Sequence, residues 1–532
     1  MNLSSWGKKS WTALLLSAVL IIVAGCQAVG GLDLNAMLKQ SLKVTSMEGK
    51  EQLELQLLFK EDALAAMEAD EAALLELFSS VKLEVSDIRM KDAENISMKG
   101  SLTLGERSMD FSVAVAGEQA RIELEGAQRA FYLDLADLGL EDWEETAEFE
   151  LDAETEASLT ELGHELLDYI GGYVIDNLPN PSNLTVAPAQ AEVNGETLQL
   201  TRVQAEIGGD EVLPLVQAYL DALIADEEGL TELLTAIISL FSDETPIWEV
   251  AGVPNPFDEG LPEGQTEDEF IQEGVIEVLG LLRELQAELT AAQEEDPESL
   301  AVFFNEESYL KTELFVDSKL NIRKTSSELV FKPAIPADDE YGYDFPLEGL
   351  VIRSSGEQWN VNGEVEPERL VTKRGDISLE RLFEMESYEI VRLFEEGSLM
   401  NDLLRYTGMN VQTIELYPEF DPNPPVVTPG GITLIPLRDT TEALGGRLAY
   451  LPETGTYDIY DPATGTYLKF RKGSNIVTVN GSDASWAFPA TVIGDTLYVP
   501  ARNYIEALGG TLYWDTFYFA EDEKYLVLER EL

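Results

Sequence analysis

The side chains that could perform catalysis are mostly carboxylates. The chain of 532 residues contains 100 Asp and Glu residues, one histidine, His164, and one cysteine, Cys26. A pair of carboxylates can hydrolyse a glycosidic bond, but acidic pairs occur throughout the chain, so the sequence singles out no catalytic pair. His164 lies in a helical pattern without an identifiable Ser or Cys partner, which favours a packed or surface residue. We therefore predict no catalytic residue.

Metal and cofactor sites are equally hard to assign. The acidic runs 294–296 and 338–340 could touch a divalent cation, but neither has the alternating ligands and central glycine of a calcium loop. A single cysteine excludes a zinc-thiolate cluster and an intrachain disulfide. The chain has no P-loop and no dinucleotide-binding glycine pattern. We interpret the acidic runs as solvated charge and predict no metal and no cofactor.

Arginine and glutamate recur in a block that occurs twice in the chain. Residues 435–451 and 499–515 match without a gap, and both contain Pro-x-Arg-x-x-x-Glu-Ala-Leu-Gly-Gly. An ungapped match of this length indicates an internal repeat. Arg438 and Arg502 each lie four residues before a glutamate, which is the spacing of a helical ion pair. We favour this structural role; the alternative, in which both arginines bind an anionic wall polymer, stays open.

Each block predicts a strand, a short helix and a following hairpin. Pro436 and Pro500 have no N–H for a strand ladder and suit the first turn of a helix. Gly445 and Gly509 lie where a left-handed residue would end each helix. Each copy is too small to bury its own apolar side, so we expect the copies to share one core. The residues expected to face inward in the first copy are Leu437, Ala443 and Leu444.

The repeated region, 432–532, resembles the copper amine oxidase N-terminal-like domain, also called a stalk domain. The resemblance rests on the two blocks, on Val-Thr-Val-Asn-Gly at 477–481, and on Leu-Tyr-Val-Pro at 497–500. It implies a small antiparallel sheet with short helices, used as a surface appendage or wall-associated module. It does not imply copper or oxidase chemistry, which needs three histidine ligands and a tyrosine-derived quinone in a separate domain. Here Tyr504 is followed by Ile505 instead of the acidic residue of the quinone-forming motif.

The N-terminus carries the pattern of an exported protein. A basic start with Lys8 and Lys9 precedes an apolar stretch, 12–23, that is too short for a comfortable membrane span. The sequence Val-Ala-Gly-Cys that ends at Cys26 resembles a bacterial lipobox. We predict a signal peptide over 1–25, lipidation of Cys26 and a tether over 26–33, which together anchor the chain to the outer face of the cytoplasmic membrane. The alternative is an uncleaved anchor or an incidental cysteine.

Charge restricts the partners. The formal net charge is −65, which argues against binding nucleic acid or an anionic membrane through a basic patch. An acidic, solvated surface suits an extracytoplasmic protein. The expected partners are the membrane, through the lipid on Cys26, and a cell-wall polymer or envelope protein.

Residues 34–420 predict a large ectodomain in which strands cluster apart from helices. The order is an antiparallel meander, helices, a hairpin, helices, strands and a helix, so the class is α+β: an antiparallel sheet plus helices, followed by the small repeated β-rich domain. Helices are predicted over 155–178, 211–241, 268–293 and 377–406, the last capped by Asp376. Residues 246–265 form a loop or lid, and the Pro/Gly-rich segment 421–431 a linker.

The element order of the ectodomain also resembles the lipoprotein-carrier type of half-barrel, which holds acyl chains between a sheet and helices. No motif carries this resemblance, and helices that simply fill the core are the favoured explanation of the order. Three hypotheses follow. The favoured one is a non-catalytic, membrane-anchored lipoprotein with a binding or structural role in the cell envelope. The others are a carrier or sensor of an apolar ligand, and a hydrolase whose carboxylates are not identified.

Overall fold

The computed structural model describes residues 31–60, 67, 69–134, 153–242, 266–335, 346–517 and 520–532. These residues divide into two units. The first comprises the described parts of Met1–Leu124 and Ala130–Asp376, and the second those of Glu125–Arg129 and Ile377–Leu532. Within each unit, antiparallel strands cluster apart from the helices. This arrangement confirms the predicted α+β class.

The first unit is built on one antiparallel sheet. Its strands are β1 (Met47–Phe59), β2 (Ser80–Met90), β3 (Asn95–Leu104), β4 (Arg107–Ala116), β5 (Gln119–Leu124), β6 (Phe131–Asp134), β7 (Asn183–Val193), β8 (Glu196–Gly208), β9 (Tyr309–Val316), β10 (Ile322–Phe331) and β11 (Leu347–Trp359). Their order is β6-β5-β4-β3-β2-β1-β11-β10-β9-β8-β7. The predicted meander forms β2 to β5, and the pairing of β1 with β11 joins the two halves of the sheet.

The helices of the first unit are α1 (Leu34–Ser41), α2 (Ala69–Phe78), α3 (Ala153–Asp176), α4 (Gly209–Ala225), α5 (Glu227–Ser242), α6 (Glu267–Glu295) and α7 (Pro297–Phe303). The helices predicted over 155–178, 211–241 and 268–293 are confirmed as α3, as the pair α4 and α5, and as α6. Thr266 and Glu269 form a capping box that fixes the start of α6. Asp296 caps α7 by accepting from the Ser299 N–H at 3.1 Å.

The helices form two kinds of contact in this unit. α3, α5 and α6 pack on one another through an apolar cluster that includes Tyr173, Leu230 and Val275. α1 and α4 pack on the sheet instead. The residues that α1 and α4 bury against β8 and β9 include Leu34, Met37, Val203 and Leu314 under α1, and Val212, Leu215, Ile207 and Leu310 under α4.

The second unit contains shorter elements. Its helices are α8 (Leu379–Phe383), α9 (Ser387–Val391), α10 (Leu399–Tyr406), α11 (Leu437–Ala443) and α12 (Ala501–Ala507). Its strands are β12 (Ile377–Ser378), β13 (Val411–Leu416), β14 (Val426–Val427), β15 (Thr433–Pro436), β16 (Arg447–Leu451), β17 (Thr456–Asp461), β18 (Thr466–Arg471), β19 (Ile476–Val479), β20 (Ser482–Ser485), β21 (Thr491–Ile493), β22 (Thr496–Pro500), β23 (Gly510–Phe517) and β24 (Ala520–Glu531). Three sheets result, with orders β13-β24-β23, β14-β15-β22-β21 and β16-β17-β18-β19-β20.

The two repeat blocks meet at an internal two-fold arrangement. β15 and β22 pair antiparallel with Ile435 opposite Val499, and these two residues are equivalent positions of the repeat. The helices that follow, α11 and α12, also begin and end at equivalent positions. Thr441 of α11 and Tyr504 of α12 are buried and join the copies through their hydroxyl groups at 2.8 Å. The expected shared core is therefore present.

The helix ends confirm one prediction and correct another. Gly445 has φ 74° and Gly509 has φ 79°, so both copies end their helix at a left-handed glycine, as expected. Leu437 and Leu444 are buried, but Ala443 is exposed. The prediction for Ala443 is wrong because the inward face of α11 is completed by Thr440 and Thr441.

The helix predicted over 377–406 is wrong. This stretch forms the three short helices α8, α9 and α10, because new caps interrupt it. Ser378 and Ser398 each accept a backbone N–H at the start of a helix. Asp376, the expected cap, instead accepts from Arg121 Nε at 2.9 Å within the first unit.

The division between the units lies at Asp376 and Ile377, upstream of the expected linker. β13 pairs with β24, and Leu416 lies in the apolar core of the second unit. β14 pairs with β15. Residues 421–431 therefore lie inside the second unit, which differs from the expected separation at this segment. Preferential proteolysis at 421–431 stays a prediction.

Candidate functional site

The sheet of the first unit has one apolar face, formed by rows of directly paired residues, which share a face of a sheet. The first row is Leu104, Val81, Leu55, Ile352, Leu329, Leu310 and Ile207. The second is Met109, Leu102, Leu83, Leu53, Ser354, Ser327, Thr312, Ala205 and Leu184. The third is Leu124, Phe111, Gly100, Val85, Glu51, Gly356, Thr325, Leu314, Val203 and Val186. We call these three rows the apolar face.

The described helices cover the apolar face unevenly. α1 and α4 bury its residues on β8 and β9. On β1 to β3, Leu55, Leu83 and Leu102 are only half-buried and Leu53 is 45% exposed, whereas Val85 and Leu104 of the same face are buried. Burying such a side chain completely contributes about 1.5–3 kcal/mol. A ligand that covered this row of half-buried leucines would therefore gain binding free energy. Contiguous apolar surface of this kind is typical of a ligand-binding or interaction site.

Polar groups interrupt the apolar face in one area, at the middle of the sheet. Glu51 of β1 lies there, next to hydroxyl-bearing residues of β9, β10 and β11: Thr312, Thr325, Ser327 and Ser354. The Thr312 and Ser327 hydroxyl oxygens lie 3.2 Å apart. A cavity of about 270 Å³ lies at the level of Glu51, but most of its lining residues, among them Lys50, Lys324 and Glu357, belong to the opposite face of the sheet. We call Glu51 and these four hydroxyl residues the polar island.

The opposite face of the sheet is polar and is tied together by ion pairs. Glu357 of β11 contacts Lys324 Nζ at 2.9 Å and Lys50 Nζ at 3.0 Å, and accepts the Asn194 N–H at 3.0 Å. Burial alone would raise the pKa of Glu357, but the Lys324, Asn194 and Lys50 donors outweigh it and lower the pKa to about 2. These contacts join β1, β10, β11 and the β7–β8 turn.

A second cavity, of about 540 Å³, lies between α3 and α5. Its lining includes Glu165, Tyr169, Thr231 and Glu232. Two carboxylates at a cavity are what the hydrolase hypothesis requires. Within the described part of the chain, however, no hydrogen bond orients either carboxylate, so no acid and base roles are distinguished.

The two candidate arginines of the second unit are exposed. Arg438 Nη1 lies 3.0 Å from Glu442 Oε1, and Arg502 Nη1 lies 3.9 Å from Glu506 Oε1. The predicted ion pairs therefore form, the second at longer range. Their arginine side chains are 62% and 68% exposed, and such pairs contribute about 0.3–0.5 kcal/mol each. Both side chains remain accessible to a partner.

The most buried charged pair of the described residues, Arg530 and Asp461, was not among the residues predicted from the sequence. Their side chains are 0% and 1% exposed, and Arg530 Nη1 lies 2.7 Å from Asp461 Oδ2. Arg530 also donates to Gln412 Oε1 at 2.7 Å and to the Leu444 carbonyl at 3.0 Å. This one side chain thus joins β24 to β17, β13 and the end of α11. The alternation of β24 places Arg530 on the same face as Leu526 and Leu528, and this spacing is the signal that could have predicted an inward Arg530.

Several predicted positions cannot be placed. Cys26, the signal peptide, the lid at 246–265 and the acidic run 338–340 lie outside the described residues. His164 belongs to α3, but its side chain is not described. Of the run 294–296, Asp296 serves as the α7 cap. In the described part of the chain, no group of three or more His, Cys, Asp and Glu residues could hold a metal ion, and no helix is long and apolar enough to cross a membrane.

One family model matches the chain. Residues 411–517 match the copper amine oxidase N-terminal domain, which confirms the resemblance expected at the C-terminus. The match begins with β13 and includes both repeat blocks. This domain is a non-catalytic, stalk-like domain, so the match assigns no chemistry to the chain. No curated protein matches the chain.

Proposed function

We propose that the chain is a lipid-anchored, extracytoplasmic, non-catalytic binding protein whose first unit takes up an apolar ligand. The observation that carries this proposal is the half-covered apolar face of the sheet. A sheet that only had to support a fold would bury these leucines under its helices. Here α3, α5 and α6 pack on one another instead, while Leu53 stays 45% exposed.

The anchor follows from the lipobox-like sequence around Cys26. Two acyl chains on one cysteine are enough for stable attachment to a membrane. We expect Cys26→Ser to release the protein from the membrane fraction or to leave it unprocessed. Processing and retention of the variant like the wild type would reject the lipoprotein assignment.

The ligand can be sought directly. Protein purified from its own membrane should contain a copurifying apolar molecule that mass spectrometry of an organic extract identifies. Leu53→Glu and Leu83→Glu, which place charge on the apolar face, should remove it. Ser355→Glu, on the polar face of β11, is the matched control and should leave the ligand content unchanged. Equal ligand content in all variants would place the ligand elsewhere.

Attachment to the cell envelope through the second unit is a second candidate function. It is supported by the outer surface of β17 and β18, where Tyr460 and Tyr467 lie with ring centroids 4.5 Å apart and Tyr467 is exposed. A tyrosine pair with one exposed ring suits a sugar ring, and Arg438 and Arg502 suit an anionic polymer.

Isolated cell walls test this candidate. The full chain should sediment with walls, and the double variant Arg438→Gln, Arg502→Gln should sediment less. Because both ion pairs are exposed, the variant should lose only about 1 kcal/mol or less of stability, so folding does not confound the result. Wall binding that survives this change, and survives Tyr467→Ala as well, would reject these residues as the attachment site.

A further inference from the structure

We infer that Glu51 is the recognition point for the positively charged amine head group of an amphiphile whose alkyl chain lies on the apolar face. This inference rests on the proposed uptake of an apolar ligand and adds the chemistry of its head group. Glu51 is the one charged residue in the three rows that define the apolar face. Glu51 is exposed to solvent, so its carboxylate is accessible to a ligand that lies on this face.

The surroundings leave room beside the carboxylate. Gly356 is the neighbour of Glu51 on β11. A Cβ added to Gly356 would lie 3.1 Å from Glu51 Oε1 and 3.1 Å from Thr325 Oγ1. The glycine therefore leaves open the space between the Glu51 carboxylate and the Thr325 hydroxyl group. An ammonium group has three donors, which Glu51 and the hydroxyl groups of the polar island can accept.

Charge complementarity selects a cation as the occupant. The nearest lysines along these strands, Lys50 and Lys324, lie in the alternate positions and contact Glu357 at 3.0 Å and 2.9 Å. Within the described residues, no cation pairs with Glu51. Desolvation raises the pKa of the Glu51 carboxyl above its usual range, although the residue is exposed to solvent. A bound ammonium group would supply the missing counter-charge.

The geometry also sets the direction in which the alkyl chain of the ligand runs. From Glu51 on β1, half-buried apolar residues continue over β2, β3, β4 and β5: Leu83, Leu102, Phe111 and Leu124. Strands lie about 4.8 Å apart, so this path is about 19 Å long. On the other side of Glu51, the hydroxyl residues of the polar island interrupt the apolar surface. The head group thus lies at the polar island, and the alkyl chain lies over β2 to β5.

The experiment compares three ligands with the same chain and different heads. The neutral fluorophore N-phenyl-1-naphthylamine is bound to the full chain and displaced by dodecylamine, dodecanol or dodecanoate, each below its micelle-forming concentration at pH 7. Dodecylamine should displace it at about one tenth of the dodecanol concentration or less, as one charge-assisted hydrogen bond predicts. Dodecanoate should be the weakest.

Two variants locate the effect. Glu51→Gln should make dodecylamine and dodecanol equal. Glu54 lies on the same strand as Glu51 but on the opposite face. The Glu54→Gln variant has the same net charge as Glu51→Gln, and it should keep the tenfold preference for dodecylamine over dodecanol. This control matters because a chain of net charge −65 attracts any cation.

The outcomes separate the two claims. Equal displacement by dodecylamine and dodecanol in the wild type, or a preference that survives Glu51→Gln, overturns the inference about Glu51 and leaves the apolar-ligand function standing. A fluorophore that does not bind, or that no dodecyl compound displaces, rejects both. A preference lost equally in Glu51→Gln and Glu54→Gln assigns it to overall charge and also overturns the inference.

Discussion

The two units differ in how completely they bury their apolar side chains. In the second unit Ile435, Tyr504 and Leu508 are almost completely buried, because two copies of one motif close on each other. In the first unit the sheet presents leucines that its helices cover only in part. The second unit therefore closes its own core, and its exposed aromatic side chains, such as Tyr467, lie on its exterior. The first unit has unused apolar surface, which a ligand can cover.

Polar contacts follow the same contrast. The second unit buries an ion pair, Arg530 with Asp461, inside its core. The first unit ties its strands from the outside, through Glu357 and its lysines. Charge thus fixes the interior of one unit and the exterior of the other. Substitutions at these residues test this difference between the two units.

The largest change in the free energy of unfolding is expected at Arg530. Arg530→Met leaves Asp461 charged and buried without its partner, which costs about 3–5 kcal/mol. Urea unfolding of the second unit should show this loss. Arg438→Met, which breaks an exposed pair of the same unit, should cost about 0.5 kcal/mol or less. Similar losses for the two variants would mean that the buried pair does not hold the core closed.

The next effect is expected at Glu357. Its folded pKa of about 2 lies below the unfolded value of about 4.3, so Glu357→Gln should cost roughly 2–3 kcal/mol at pH 7. The sign follows from linkage: a lowered pKa stabilises above the unfolded pKa, and this stability is lost as pH falls through the folded pKa. The difference between wild type and variant should therefore shrink between about pH 4.3 and pH 2.

Glu54→Gln is the control for Glu357, because Glu54 contacts Arg353 at 3.4 Å on the same polar face with more exposure. It should cost less than about 1 kcal/mol. A loss of stability in Glu357→Gln that stays constant from pH 7 to pH 2 would mean that the charge on Glu357 does not contribute to stability. The ion pairs on the polar face would then not stabilise the sheet.

A smaller effect is expected at the repeated glycines. Gly445 and Gly509 have positive φ, so Gly→Val at either position should cost about 1–2 kcal/mol. Gly→Asn should cost clearly less, because asparagine adopts this conformation more readily. Equal costs at the two sites would agree with the two-fold arrangement. A large loss at one site only would show that the copies are not equivalent.

Much of the fold was predictable where a pattern is long or repeated. α3 and α6 run over many turns, and their apolar spacing sets their limits within two residues. The repeat fixed the helix ends of α11 and α12, because only a left-handed residue suits the matched glycines. The same logic failed between Asp376 and Tyr406. There, local caps such as Ser398 compete with helix propagation, and periodicity alone does not reveal which one wins.

The candidate site was less predictable, because it depends on which strands become neighbours. Glu51 and Gly356 are far apart in sequence, and only the pairing of β1 with β11 brings them together. Likewise, β13 belongs to the C-terminal sheet through β24, which moves the unit boundary away from the Pro/Gly segment. The partners of Arg530 could not be predicted for the same reason: Asp461, Gln412 and Leu444 contact it only in the folded unit.

The smallest expected effect, at Glu51, has the opposite sign and tests the comparison most directly. Burial raises the pKa of Glu51 in the folded protein, so its contribution to stability is fully present below the unfolded pKa and is lost as pH rises through the folded pKa. Glu51→Gln should therefore raise the Tm of the ligand-free protein at pH 7, by only about a degree because Glu51 is exposed to solvent, and leave it unchanged at pH 3. A lower Tm at pH 7 would mean that a protein group already stabilises the carboxylate. The apolar face would then be closed by the chain itself, like the core of the second unit.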